Sequence, residues 1–428
     1  MLAKHMALYF ALLIPLLGRG QSKSVFIEVG SFYNSESARF MENQRIWIEG
    51  DQIKDIGPSI KIPAGAEVIR LSSGTVTPGL IDTHTHLLCN QKLPENLAID
   101  AWINSPEQRV LRGAGYARAY LKAGFTAIRD LGNSGHYLDL ELASAIRKGY
   151  VEGPQMFCSG PIISAMDGQF YQLPYKDREN FAKTEYRVVH GTADAVEAVK
   201  EHVNNSVDVI KIVAFGERLG LELDEMKAIV QTAHAHGLKV TAHSTGGPSM
   251  ASAIEAGVDG IEHAYYVNDT LWKKIAAKKI YMVPTDPSIN SIIQNQKAQG
   301  QTKHDTTAIR AELKPLRDRL LRAKKEKILL AAGSDAYFDS RRSRGDAAKE
   351  TLVAYVEEGL SVEEALQTAT LNAAKVLGQE GKLGVIKAGS KANLVIFEGS
   401  LQKDFRNALF NVYMVIKDGK IVYSKQQN

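Results

Sequence analysis

Between residues 78 and 385 the chain alternates short apolar, strand-like runs with stretches of helical periodicity, and eight such runs can be counted. They fall at 79–83, 125–130, 155–159, 209–213, 239–243, 260–263, 281–284 and 329–334. Continuous apolar runs of this length suit strands buried on both faces, and the helices between them must cross back over a parallel sheet. Residues 224–236 place Met226, Ile229, Val230 and Ala233 on one helical face and stop at Gly237. Ser361 and Glu364 form a capping box ahead of a later helix. Eight such units predict an α/β fold, a closed (β/α)8 TIM barrel spanning 78–385. The flanks at 21–77 and 386–428 differ, holding short alternating pieces such as Arg45-Ile46-Trp47-Ile48 and a type I′ hairpin signal at Asp418-Gly419. The two ends are expected to pair into one small β-sandwich domain.

Composition narrows the partners. Lysine and arginine total 52 against 48 aspartates and glutamates, without a polybasic or acidic tract, so nucleic acid is not expected as a partner. Cys89 and Cys158 lie far apart with no CxxC spacing, which favours two free thiols over a disulfide framework or thiolate cluster. At the start, Lys4 and His5 precede an apolar run over 6–17 and the small residues Gly18 and Gly20, the pattern of a signal peptide over 1–20. That run is too short to span a bilayer. Export to a periplasm or medium is expected, with no membrane attachment after cleavage; a homo-oligomer remains open.

Barrel enzymes carry their chemistry at the C-terminal ends of strands. There the chain places His84 and His86, whose i, i+2 spacing puts both side chains on one side of an extended segment. The same spacing in His234-Ala235-His236 falls on a helix, where i and i+2 do not share a face, and reads as solvated surface. His243 and His263 end the fifth and sixth runs, and Asp335 follows the eighth. Each alone has a structural reading, Asp335 as a helix N-cap for example. Four histidines at strand ends of one barrel instead suggest ligands for zinc-like ions. Lys211 sits inside the apolar run Val209-Ile210-Lys211-Ile212-Val213, where an unpaired ammonium is costly. An ion pair would answer that cost; so would uptake of carbon dioxide, giving a carbamate able to bridge two ions. Carbamate, Asp335 and a hydroxide would leave two divalent ions with one net positive charge to polarise a carbonyl.

Together these segments resemble the amidohydrolase superfamily, in its binuclear, prolidase-like or imidazolonepropionase-like branch. The resemblance rests on 75–86, ending in His84-Thr85-His86, on 124–132 and on Ile210-Lys211-Ile212. It continues through 257–263, Ala332-Gly333-Ser334-Asp335-Ala336 and 365–374. It implies that His84, His86 and Asp335 hold one ion, that His243 and His263 hold the other, and that carboxylated Lys211 bridges both. Zinc is the first expectation for such donors, with manganese or cobalt also fitting. The implied reaction is attack on an amide carbonyl by a metal-bridging hydroxide, with Asp335 shuttling the proton to the leaving group. The implied substrate is a dipeptide or N-acyl amino acid.

The sequence departs from this pattern where substrate would be read. Asp167-Gly168-Gln169 stands where many prolidase-like members have Gly-Gly-His, and Ser244-Thr245 stands where a tyrosine often follows the fifth-strand histidine. Asn393 replaces a usual aspartate, but in the β domain. Candidate substrate contacts are His136, Gln169, Tyr265 and Tyr266, all in loops after strands. Arg341, Arg342 and Arg344 read as surface charge, residues 303–327 as a solvated barrel helix, and Cys89 as a weak rival ligand. Two other readings stay open: a one-metal deaminase or cyclic amidase with a structural Lys211, and a non-catalytic binding barrel.

Overall fold

The computed structural model describes residues 24–93, 95–166, 169, 173–214, 219–339 and 342–425. The expected signal peptide at 1–20 lies outside the described residues, as do Asp167, Gly168 and Arg341. None of the described helices is long and apolar enough to cross a membrane.

Parallel strands ring a barrel. Leu80–Thr85 pairs with Phe125–Asp130, which pairs with Gln155–Cys158. Val209–Val213, Lys239–Gly246, Gly260–Tyr266 and Tyr281–Val283 follow in parallel order. The third stave is longer and more broken than its sequence suggests. After Gly160 turns the chain at a φ of 66°, Ile162–Ser164 continues it, pairing with Val209–Val213 and carrying the extra short strand Tyr186–Val188 on its other side. The eighth stave is not a regular strand. Leu330 forms a single bridge to Met282, and Thr83 donates its N–H to Ala332 at 2.9 Å, which closes the ring. Its irregularity has a local cause: Gly333 and the left-handed Asp335, with φ 49°, bend the segment toward the first strand.

Outside the barrel the helix at Leu223–Ala235 buries Met226, Ile229, Val230 and Ala233, as its periodicity requires, and Ser361 with Glu364 closes the capping box of Val362–Thr368. The β-sandwich domain of both chain ends is one hydrogen-bonded sheet of eight strands. Its path runs Lys420–Ser424, Val412–Lys417, Leu394–Phe397, Glu67–Pro78, Ser24–Asn34, Arg45–Glu49 and Gln52–Gly57, with Arg39–Glu42 beside Ser24–Asn34. Ile27, Ile48, Val76, Ile396 and Ile416, drawn from five of those strands, share one apolar cluster. Asp418 and Gly419 both take positive φ, 48° and 74°, the backbone of a type I′ turn. Both cysteines are free and buried.

Candidate metal centre

The site begins with a backbone device. The Asp82 carboxylate Oδ1 accepts the N–H of His84 at 3.1 Å and that of Ser334 at 2.9 Å, tying the first stave to the eighth. The N–H of Asp335 then reaches the carbonyl of His84 at 2.9 Å. Gly333 makes this approach possible, since a Cβ there would stand 2.6 Å from the Cβ of His84 and 2.3 Å from Cγ1 of Val283. Asp335 and His263 are left-handed without being glycine, with φ 49° and 71°, conformations that cost about 1–2 kcal/mol each and gather at functional sites.

The first histidine pair has its tautomers set from behind. His84 Nδ1 donates to Glu262 Oε2 at 2.7 Å, and His86 Nδ1 donates to the Gly132 carbonyl at 2.8 Å. Both Nε2 atoms therefore present lone pairs, and they face each other at 3.2 Å. Asp335 Oδ1 lies 3.3 Å from His86 Nε2 and 3.6 Å from His84 Nε2, and is buried without a hydrogen-bond partner. The donor atoms of His84, His86 and Asp335 all fall within 4.8 Å of one another. Three converging acceptors, one of them an anionic carboxylate, fit a divalent cation. Burial and the charge of Lys211 hold the His84 imidazole down to about 4, keeping it neutral as a ligand must be. Burial opposes ionisation of Asp335, but the neighbouring His84 and His86 imidazoles and the charge of Lys211 hold its carboxyl below the ordinary range.

His243 and His263 stand on neighbouring strands, their ring centroids 4.6 Å apart, and His263 lies 5.1 Å from His84. His263 Nδ1 is fixed at 2.8 Å by the Thr285 hydroxyl. Burial and Lys211 push the His243 imidazole down to about 3. Lys211 is 2% exposed and, among the described residues, forms no salt bridge; burial lowers its ammonium to about 8. His84, His86, Lys211, His243, His263 and Asp335 all line one cavity of about 710 Å³.

The candidate substrate contacts divide. Gln169 reaches over His243, its amide nitrogen 3.3 Å from Nδ1 and 3.4 Å from Nε2, and Tyr265 packs on His263 at 5.6 Å; both line the cavity. Tyr266 is 73% exposed and His136 is exposed, bonded to the Lys183 carbonyl; neither lines it. Arg344 is not surface charge. It is buried, donating to Ala336 O at 2.5 Å and Asn90 Oδ1 at 2.8 Å while stacked on Tyr116. Cys89 does line the cavity, but burial pushes its thiol up, away from the thiolate a ligand needs. His234 is tied to Asp259 at 2.8 Å on the outer surface.

Sequence reasoning passed over the groups behind the histidines. Arg129, buried in the second strand, donates to Glu262 Oε1 at 2.8 Å, to the Thr83 carbonyl at 2.6 Å and to the Tyr281 hydroxyl at 2.9 Å. It holds the Glu262 carboxyl far below the ordinary range, against burial, so that Glu262 stays an acceptor for His84. Arg319, from the helix Thr306–Lys325, grips the His263 carbonyl and the buried Asp286 carboxylate. Tyr337 meets His86 edge-on at 5.7 Å. A charged residue inside an otherwise apolar run, the signal that singled out Lys211, also marks Arg129 and Glu262.

The chain is similar to known proteins across most of its length. Ochratoxinase of Aspergillus niger is 26% identical over 400 residues, covering 86% of this chain and 79% of that protein. Imidazolonepropionase of Geobacillus thermodenitrificans is 24% identical over 423 residues, covering 90% and 92%. Among solved structures, a Xaa-Pro dipeptidase with methionine bound in its active site superposes with a TM-score of 0.79 at 26% identity, covering 94% of this chain and all of the other. The amidohydrolase family pattern matches residues 75–422. A match that takes in the barrel and reaches into the last strand of the β domain is one of whole architecture, and the chain belongs to the amidohydrolase family of carbon–nitrogen hydrolases.

Proposed function

We propose that the chain is a binuclear metallohydrolase that cleaves the amide bond of a dipeptide or N-acyl amino acid. The observation that carries this reading is the convergence of His84 Nε2, His86 Nε2 and the unpartnered Asp335 Oδ1, beside a buried Lys211 without an ion pair among the described residues. In this reading His84, His86 and Asp335 hold one ion, His243 and His263 the other, and Lys211, carboxylated, serves both. Zinc best suits the nitrogen and oxygen donors. Two divalent ions, if bound there, would lower the pKa of a water toward neutrality and supply a Lewis acid for the carbonyl oxygen.

The protein's own groups do the rest. Asp335, ionised and 21% exposed to the cavity at its side chain, accepts the proton of the attacking water and passes it to the departing nitrogen. Glu262 and Arg129 keep the His84 imidazole in one tautomer and orientation throughout. Tyr265 and Gln169 stand where they can contact substrate beside His263 and His243. Incubation of metal-loaded protein with a panel of dipeptides and N-acyl amino acids tests the activity. Release of free amino acid is expected; no turnover anywhere in the panel, with two ions bound, contradicts it and favours a binding barrel. Carboxylation of Lys211 is tested by carbon-13 bicarbonate labelling, where a carbamate resonance missing from Lys211→Ala is expected. Export belongs to the same proposal, on the leader-like residues 1–20. N-terminal sequencing of the exported protein should begin near Gln21, and a retained Met1 would contradict it.

A further inference from the structure

A second cavity, of about 660 Å³, adjoins the metal pocket. The two share the side chains of Tyr265, Asp335 and Tyr337, whereas none of the four ligand histidines and no part of Lys211 lines the second chamber. A group seated there reaches the reacting bond past Asp335. Since Asp335 hands its proton to the departing nitrogen, the chamber lies on the amine side of that bond.

Its walls say what it would take. The helix Ile289–Ala298, after the seventh strand, forms one side and contributes Ile292; Leu93, Pro287 and Phe338 add apolar surface, with Phe338 packed on Tyr337 at 4.4 Å. Inside the chamber the lining charges are paired: Arg342 with the buried Glu350, and Asp286 with Arg319; at the exposed rim Lys297 and Asp339 form no ion pair among the described residues. The Asn290 amide is already spent on Glu350 at 2.8 Å. Away from that rim and Asp335, no lining charge is left without an ion pair among the described residues. A volume in the range that holds drug-sized ligands, roughly 300–1,000 Å³, would stay mostly empty around a glycine, alanine or proline leaving group. Apolar surface left uncovered forfeits the transfer free energy of filling it.

We infer that the chamber beside Asp335 is a subsite for the leaving amine, selecting substrates whose released amino acid carries a bulky, uncharged, preferably aromatic side chain. This rests on the reading of Asp335 as proton shuttle. The test is kcat/KM for N-acetyl amino acids with glycine, alanine, proline, leucine, phenylalanine or tryptophan as leaving group, beside N-acyl glycines of increasing acyl size. Phenylalanine and tryptophan should exceed glycine by about 100-fold or more. A flat profile, or selectivity that follows the acyl group instead, overturns the inference while leaving the amide-hydrolase reading standing. Ala298→Trp, at an exposed helix end on the chamber wall, should cost the aromatic substrates about tenfold and the glycine substrate less than twofold. Equal losses overturn it. If nothing in the panel turns over, the reading of the site fails, but equilibrium binding still judges the chamber. N-acetyltryptophan binding more tightly than N-acetylglycine, with the difference abolished in Ala298→Trp, supports it; equal affinities refute it.

Discussion

The two histidine pairs of the site are held in different ways. His84 and His86 are braced from behind by a buried carboxylate and a carbonyl, and their outward nitrogens meet Asp335 within 4.8 Å. His263 has only a hydroxyl behind it, while His243 is met by Gln169 from a loop. The difference teaches that the first pair is organised by the barrel itself, whereas the second has fewer fixed partners behind it. Outer groups that fix a ligand's tautomer govern metal affinity, so the halves should respond differently to damage.

The largest effect belongs to Asp335, at the end of the first half. Asp335→Asn, which preserves shape but removes the anion, should lower kcat by about 10²- to 10⁴-fold with an unchanged far-UV spectrum. A kcat within a few-fold of the parent would deny it the proton-transfer role. Next comes the brace: Glu262→Gln should weaken binding of the ion proposed at His84, His86 and Asp335 by about 10- to 100-fold, read by competition with a chromophoric chelator. If the loss falls instead on the ion held by His243 and His263, the contrast between the halves is wrong. Stripping the protein with chelator should lower its melting temperature, because converging lone pairs and a buried carboxylate then face one another uncompensated, and zinc should restore it. The smallest change is expected at the loop. Gln169→Ala should raise KM by about 2- to 12-fold, the worth of one ordinary hydrogen bond, while the metal content stays as it was.

Much of this was legible because buried polar residues stand out against apolar strands. The runs at 125–130 and 209–213 reappear as strands with those same ends, and the candidate ligands were visible as histidines at the ends of such runs, a lysine inside one and an aspartate after the last. The third and eighth staves were less legible, since their hydrogen bonds come from partners distant in sequence: Asp208 anchors Cys158 at 2.8 Å, and Asp82 pins Ser334. Glu262, Arg129 and Arg319 were missed for the same reason. A buried charge reads as an oddity until the fold brings its partner, and Arg129 lies 133 residues from Glu262. Loop contacts were least legible. Nothing in Tyr265-Tyr266 says which ring turns inward; their strand alternation, set by pairing of Gly246 with Tyr266, decides it.

The central claim, that Lys211 makes this a two-ion site, is tested most directly by counting metal. Elemental analysis of the zinc-loaded parent and of Lys211→Ala, with activity measured on the same samples, should give two ions per chain in the parent. The variant should hold one ion or fewer, with activity lost. One ion per chain in the parent, with full activity retained in Lys211→Ala, would contradict the account.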